Sequence, residues 1–268
     1  MTSTESNKAK IAKRVIEVLE FFDEDHPRAT VMDIVRRFNR PQSSTSELLS
    51  SLVDLGLLYK DPLSRSYTPT PRAAMLGAAV QPGLVRDGRL TGLIDRLSAQ
   101  TGLAVAVFGM VGLKVQLFSW RAGKKALRTA NPGGFCGGQQ EDLSESAVGW
   151  LMLGTIDAPR RDGVIRRLNA EAREDRKFIP AEMVARVQQC RDRCQATGPA
   201  GFGSIADVTA MLVPGQPEGQ PLAIGVVYEP TDTVDAAALQ QSLADALARC
   251  MEEPAAPAAE AQPLFVAA

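Results

Sequence analysis

Apolar residues recur in two rhythms along this chain, and the change between them divides it. Between residues 8 and 25, Ile11, Val15, Leu19 and Phe22 follow at steps of four, four and three, the stripe of an amphipathic helix. "HPRAT" interrupts it. Thr30, with Asp33 three residues on, makes a capping box for a second helix whose buried face is Val31, Ile34, Val35 and Phe38. After the turn "FNRP", Pro41 suits the first turn of a third helix, where its missing N–H costs nothing. Leu48, Leu49, Leu52, Val53 and Leu55 give that helix a wide apolar stripe, and Gly56 is placed for the left-handed residue that stops it. "LLYK" and "SYT" then read as two strands joined by the turn "DPLSR". Three short helices and a hairpin predict a winged helix-turn-helix over residues 8–70. A connecting helix, "PRAAMLGAAVQ", fills 71–82 up to the break at "PG".

Beyond residue 83 the rhythm alternates. A helix near 88–100 leads into "TGLAVAVFGMVGLKVQLFSW", two alternating strands around Gly109–Gly112. The glycine-rich loop "NPGGFCGG" follows, then helices near 143–154, 159–174 and 180–196. Strands near 205–213 and 221–228 flank "PGQPEGQP", and a helix from Val234 to Met251 closes an α+β domain over 83–252. The Ala/Pro-rich stretch 253–268 reads as a disordered tail.

Composition changes this picture little. With 45% apolar and 23% charged residues in 268, the chain has the make-up of a globular protein with two cores. No apolar run approaches the ~18–20 residues a membrane helix needs, and "MTSTESNKAKIAK" has no signal-peptide core, so a cytoplasmic location is expected. Net charge is −1, yet between Arg28 and Arg72 seven basic residues (Arg28, Arg36, Arg37, Arg40, Lys60, Arg65, Arg72) face four acids (Asp33, Glu47, Asp54, Asp61). A local basic excess fits an anionic partner; a solvated face is the plainer alternative.

The candidate chemistry lies at the start of the third helix. Gln42, Ser43, Ser44, Thr45 and Ser46 crowd its first turns with short polar groups. In a DNA major groove such groups meet base edges and phosphates, and the helix N-terminus itself favours phosphate. The alternative is a second capping box, Ser44 with Glu47, but a cap needs one hydroxyl and this segment offers four in a row.

"RPQSSTSELLSSLVDLGLLYKDPLSRSYTPTPRAAMLG" resembles the DNA-binding half of the IclR family of bacterial transcriptional regulators: Pro before small polar residues, "LLSSL", "LGLL", D-P-x4-Y and P-R-x3-L-G. "LIDRLSAQTGLAVAVFGMVGLKVQLF", "SESAVGWLML" and "GFGSIADVTAMLVP...PLAIGVVYEP" fall in the order of that family's GAF-like effector domain, matching more loosely. The resemblance implies a homodimer or dimer of dimers on a palindromic double-stranded operator, with half-sites about one helical turn, ~34 Å, apart. It also implies a small organic effector, a carboxylic acid or an aromatic compound, whose binding reorients the DNA-binding heads.

Gln42 and Glu47 stand where members often carry a basic residue, so phosphate contact falls to Arg36, Arg37, Arg40 and the wing's Lys60 and Arg65. In the effector half the family's pocket is lined partly by the two late strands. Where relatives show Cys or small hydroxyls, this chain has Met211, Val226 and Tyr228. That points to a larger or more apolar ligand with Tyr228 and Asp207 as polar handles and Gly133, Gly134 and Phe135 at the mouth. The alternative is that these residues are ordinary core.

Other chemistry finds little support. Cys190 and Cys194, four apart on a helix, share a face, but two thiolates make a poor zinc site and the chain's single histidine, His26, lies in the other domain. Residues 27–268 thus hold no histidine for general-base work. "NPGGFCGG" is neither a Walker nor a dinucleotide loop, and no cofactor is indicated. A regulator that is not an enzyme is therefore expected. The rival is a small-molecule-binding or enzymatic α+β protein whose helical head serves assembly.

Overall fold

The computed structural model describes residues 7–252 except 24, 78–79, 130–133 and 232–233, and divides into two compact units, Met1–Gln81 and Pro82–Ala268. The expected tail and the candidate Gly133 lie outside the described residues.

In the first unit, α1 (Asn7–Glu20), α2 (Val31–Phe38) and α3 (Gln42–Asp54) are followed by the antiparallel pair β1 (Leu58–Lys60) and β2 (Tyr67–Pro69). The expected capping box forms: the Thr30 hydroxyl accepts from the Asp33 N–H while the Asp33 carboxylate accepts from the Thr30 N–H at 2.8 Å. Its charge is stabilised there, so the Asp33 carboxyl is held below the usual range, chiefly by the Thr30 bonds. Asn39, left-handed at φ 48, ends α2 and sets the turn into α3. Gly56 is left-handed at φ 71 and ends α3. The core is Val18, Ile34, Leu49, Leu52, Leu58 and Tyr67, and Tyr67 also exchanges two backbone bonds with Ala29, which adds a bridge to the wing.

Two expectations shift. The stripe of α1 turns toward Val18, leaving Ile11 exposed, and Leu55 is also exposed because it sits past the last turn of α3. The connecting helix stops early: α4 spans Pro71–Met75, and Leu76 and left-handed Gly77 leave the helical conformation.

The second unit is one six-stranded antiparallel sheet in the order β5-β4-β3-β8-β7-β6: β3 (Ala104–Val111), β4 (Lys114–Arg121), β5 (Gln140–Asp142), β6 (Gln195–Pro199), β7 (Asp207–Leu212) and β8 (Leu222–Tyr228). Strand alternation sends Val105, Val107, Ile224, Val226 and Tyr228 to one face, covered by α5 (Gly83–Arg86), α6 (Arg89–Thr101) and α10 (Ala236–Glu252). Ala106, Phe108, Val208, Ala210 and Val227 go to the other, under α7 (Ala147–Leu153), α8 (Ala158–Glu171) and α9 (Pro180–Arg193). This is the expected α+β arrangement. Sequence rhythm missed β5 and β6: β5 is three polar residues, and β6 begins where left-handed Cys194 ends α9, so the helix expected to run to 196 stops at Arg193.

Candidate nucleic-acid interface and sensor core

The first turns of α3 separate into an outward and an inward face. Gln42, Ser43 and Glu47 are exposed and Ser46 is half-buried beside them. Residues 43, 46, 47 and 50 follow helical spacing, so they form one polar face. Thr45 does not belong to it. It is 3% exposed, because it lies one and two turns before Leu49 and Leu52 on the buried stripe, and its hydroxyl donates to the Pro41 carbonyl at 2.9 Å. The Ser44 hydroxyl donates to the same carbonyl at 3.2 Å. No side chain caps α3, so the alternative capping box of Ser44 with Glu47 does not form. The N–H groups of the first turn stay without a helical acceptor, the arrangement that suits a phosphate.

The basic residues sort similarly. Arg36 is 75% exposed with a loose 4.0 Å approach to Asp33, and Arg37 is exposed with no ion pair among the described residues. On the wing, Lys60 is exposed, its ammonium 5.5 Å above the Tyr67 ring, and Arg65 sits left-handed (φ 55) in the exposed turn. That turn is built by Asp61, whose carboxylate accepts from the Leu63 N–H at 2.9 Å and the Ser64 hydroxyl at 2.8 Å; these bonds hold its carboxyl below the usual range. Arg40 departs from the expectation of a phosphate ligand. Its side chain is only 18% exposed, paired with Glu17 of α1, with the guanidinium 5.2 Å over the Phe38 ring. Its charge is already matched inside the domain.

The expected effector residues do not converge. Val226 and Tyr228 are buried under α6 and α10, and Met211 packs against the same cluster. The Tyr228 hydroxyl lies 3.3 Å from the Thr209 hydroxyl, which lies 3.2 Å from that of Thr197, itself a 2.9 Å acceptor for Gln240 of α10. Asp207, half-buried, starts β7 opposite Tyr228. Phe135, carried on a loop with left-handed Gly134, belongs to the opposite face. The period of two and the β7–β8 register explain this: Asp207, Met211, Val226 and Tyr228 share one sheet face, and Phe135 packs on the other.

On that other face lies a group the sequence did not flag. Rings run from Trp120 to Phe135 (stacked, centroids 4.4 Å), on to Phe202 (6.3 Å) and to Phe108 (6.0 Å). Glu141 of β5 enters this region, one oxygen accepting from the Phe202 N–H, the other buried without a hydrogen-bond partner. Burial pushes its carboxyl up to about 7 from an ordinary 4.5; the Phe202 N–H and Ser146 oppose the shift, and Glu145 and Asp142 add to it. A three-residue strand reading "QED" offers no sequence signal that one acid points inward.

The cysteines also settle. Cys190 is buried on the core face of α9, and burial raises its thiol pKa; Cys194, beyond the helix, is exposed. The two therefore do not share a helix face as their spacing implied. Among the described residues no group of three or more His, Cys, Asp or Glu is placed to hold a metal ion, and no helix is long and apolar enough to cross a membrane.

The first unit is a three-helix domain with a two-stranded wing, joined in one chain to an α+β sheet domain. Residues 12–62 match the IclR helix-turn-helix domain. Solved structures extend the likeness in fold to about nine-tenths of the chain. An IclR transcriptional regulator from Alicyclobacillus acidocaldarius shares 19% identity at a TM-score of 0.55, over 92% of this chain and 97% of that one. The IclR of Thermotoga maritima shares 14% at 0.54, over 90% and 95%. An IclR homologue from Microbacterium hydrocarbonoxydans, solved in complex with 4-hydroxybenzoate, shares 16% at 0.54, over 90% and 98%. No curated protein matches the chain.

Proposed function

We propose that this chain is a cytoplasmic, operator-binding transcriptional regulator whose DNA affinity is set by a small organic ligand in its C-terminal unit, and that it is not an enzyme. The observation that carries the reading is the coincidence of the IclR helix-turn-helix match with an α3 whose polar face, Gln42, Ser43, Ser46 and Glu47, is left open. In this reading α3 enters the major groove, its first-turn N–H groups meet phosphate, and Arg36, Arg37, Lys60 and Arg65 engage the backbone on either side. Two copies, or a dimer of dimers, would present two such helices to a palindromic site. Ligand binding would shift the balance between arrangements of the heads that fit the operator and those that do not. The bound 4-hydroxybenzoate of the Microbacterium hydrocarbonoxydans homologue supports a ligand in the equivalent fold here.

The test is binding of the full chain to DNA upstream of its own gene, titrated with salt. A dissociation constant of ~10⁻⁸ M or tighter, weakening steeply with salt as several phosphate contacts require, supports the reading. Absence of binding to any genomic fragment at low salt overturns it.

A further inference from the structure

Glu141 is a buried carboxyl whose charged form no cation among the described residues answers. Its neighbours are neutralised: Asp142 pairs with Lys114 at 2.8 Å, and Glu145 with Arg176 at 2.5 Å. Glu141 forms no ion pair among the described residues; the Phe202 N–H donates to one oxygen, the Ser146 hydroxyl also favours its charged form, and the other oxygen is buried without a hydrogen-bond partner. A buried oxygen of this kind is costly unless a donor reaches it. Tying down the Phe202 loop does not call for an acid, since a neutral amide oxygen also accepts from an N–H.

The backbone around it is built for close approach. Gly201, Phe202 and Gly203 are all left-handed, at φ 80, 54 and 70, a rare conformation for a residue as bulky as phenylalanine. A Cβ on Gly201 would fall 2.0 Å from the free Glu141 oxygen, so only glycine leaves the carboxylate its place. Beside it, Phe202, Phe135, Trp120 and Phe108 supply ring surface, and Trp120 and Phe135 are half-buried rather than sealed. Ring faces are negative and attract a cation; an uncompensated carboxylate does so more strongly.

We propose that Glu141 and the Trp120–Phe135–Phe202 rings form the ligand site of this domain, and that the site takes an organic ammonium compound with an apolar or aromatic body. The ammonium would donate to the unpartnered Glu141 oxygen while the body packs on the rings. This deepens the proposed sensor function and rests on it.

The experiment uses the full chain without DNA, so its result is independent of operator binding. Indole fluorescence in a Trp150→Phe background leaves Trp120 as the only reporter, the chain having two tryptophans. Three matched probes are titrated: phenethylammonium, 2-phenylethanol and 3-phenylpropanoate. Saturable quenching at least about tenfold tighter for the ammonium than for the alcohol is expected, with the carboxylate weakest. Glu141→Gln should abolish the ammonium preference while its melting midpoint stays at or above that of the parent. Should Glu141→Gln not fold, the pH profile of the parent decides: ammonium affinity rises between about pH 5.5 and 8, as Glu141 ionises, and alcohol affinity stays flat. Equal affinity for ammonium and alcohol, tighter binding of the carboxylate, unchanged ammonium binding in a folded Glu141→Gln, or no binding of any probe each overturns the proposal.

Discussion

Arg40 is locked onto Glu17, and this pair ties the last turn of α1 to the turn before α3. Both side chains are largely covered, at 18% and 23% exposure, so removing one partner strands the other charge in a poorly solvated place. Arg40→Ala is expected to cost the N-terminal unit about 2 kcal/mol in chemical denaturation. Arg37→Ala should behave oppositely, within about 0.5 kcal/mol in stability while lowering the log–log salt slope of DNA binding by ~0.9. Similar salt slopes for the two variants would show that Arg40 also reaches phosphate.

Thr45 and Ser46 are adjacent in sequence and opposite in role. Thr45→Ala removes a buried methyl and a hydroxyl that donates to the Pro41 carbonyl, so a loss of about 1–2 kcal/mol in stability is expected, with base discrimination intact. Ser46→Ala should leave the melting midpoint in place and change affinity for the operator. Both variants melting alike would mean that α3 is not oriented as described.

Glu141 makes the stability of the second unit depend on pH in an unusual direction. Its carboxyl is raised from 4.5 to about 7 in the folded state, mainly by burial. The folded state therefore holds a proton that the unfolded chain releases above pH 4.5. The stabilisation is fully present below that value and is lost as pH rises through about 7, an effect of at most about 3 kcal/mol. Glu141→Gln should flatten this dependence, and denaturant midpoints measured across the window check it. A parent whose stability rises steadily between pH 5 and 7, as ordinary paired carboxylates produce, would contradict the burial of Glu141.

Gly149 lies in α7 where the helix meets the backbone of Leu143; a Cβ there would sit 2.1 Å from the Leu143 carbonyl oxygen. Neither backbone can yield cheaply. Gly149→Ala should cost about 3 kcal/mol or more and melt the second unit at markedly lower temperature in calorimetry. An unchanged transition would show that α7 can pivot away from Leu143.

The helices and hairpins with strong periodicity were legible in sequence: the Thr30–Asp33 box, the Leu49–Leu52 stripe and the alternation through β3, β7 and β8 all state their geometry locally. What escaped depends on register and packing. Thr45 looks like its serine neighbours until it is placed on the same helical stripe as Leu49. Arg40 looks like its basic neighbours until Glu17, 23 residues earlier in the chain, is brought beside it. Met211, Val226 and Tyr228 share one sheet face, the one α6 and α10 cover, and which face a strand residue takes is set by pairing register, where a shift of one residue exchanges the two. Glu141 was invisible because inwardness at the edge strand β5 is set by its pairing with Val115, not by any local pattern.

The central claim is that the open face of α3 reads base sequence. The most direct measurement is the ratio of operator to random-DNA affinity, at one salt concentration, for the parent chain and for Gln42→Ala/Ser43→Ala. The parent should discriminate by ~10³ or more, and the double variant should lose about 10- to 100-fold of that ratio with its melting midpoint unchanged. A parent without preference, or a double variant that discriminates as well as the parent, would contradict it.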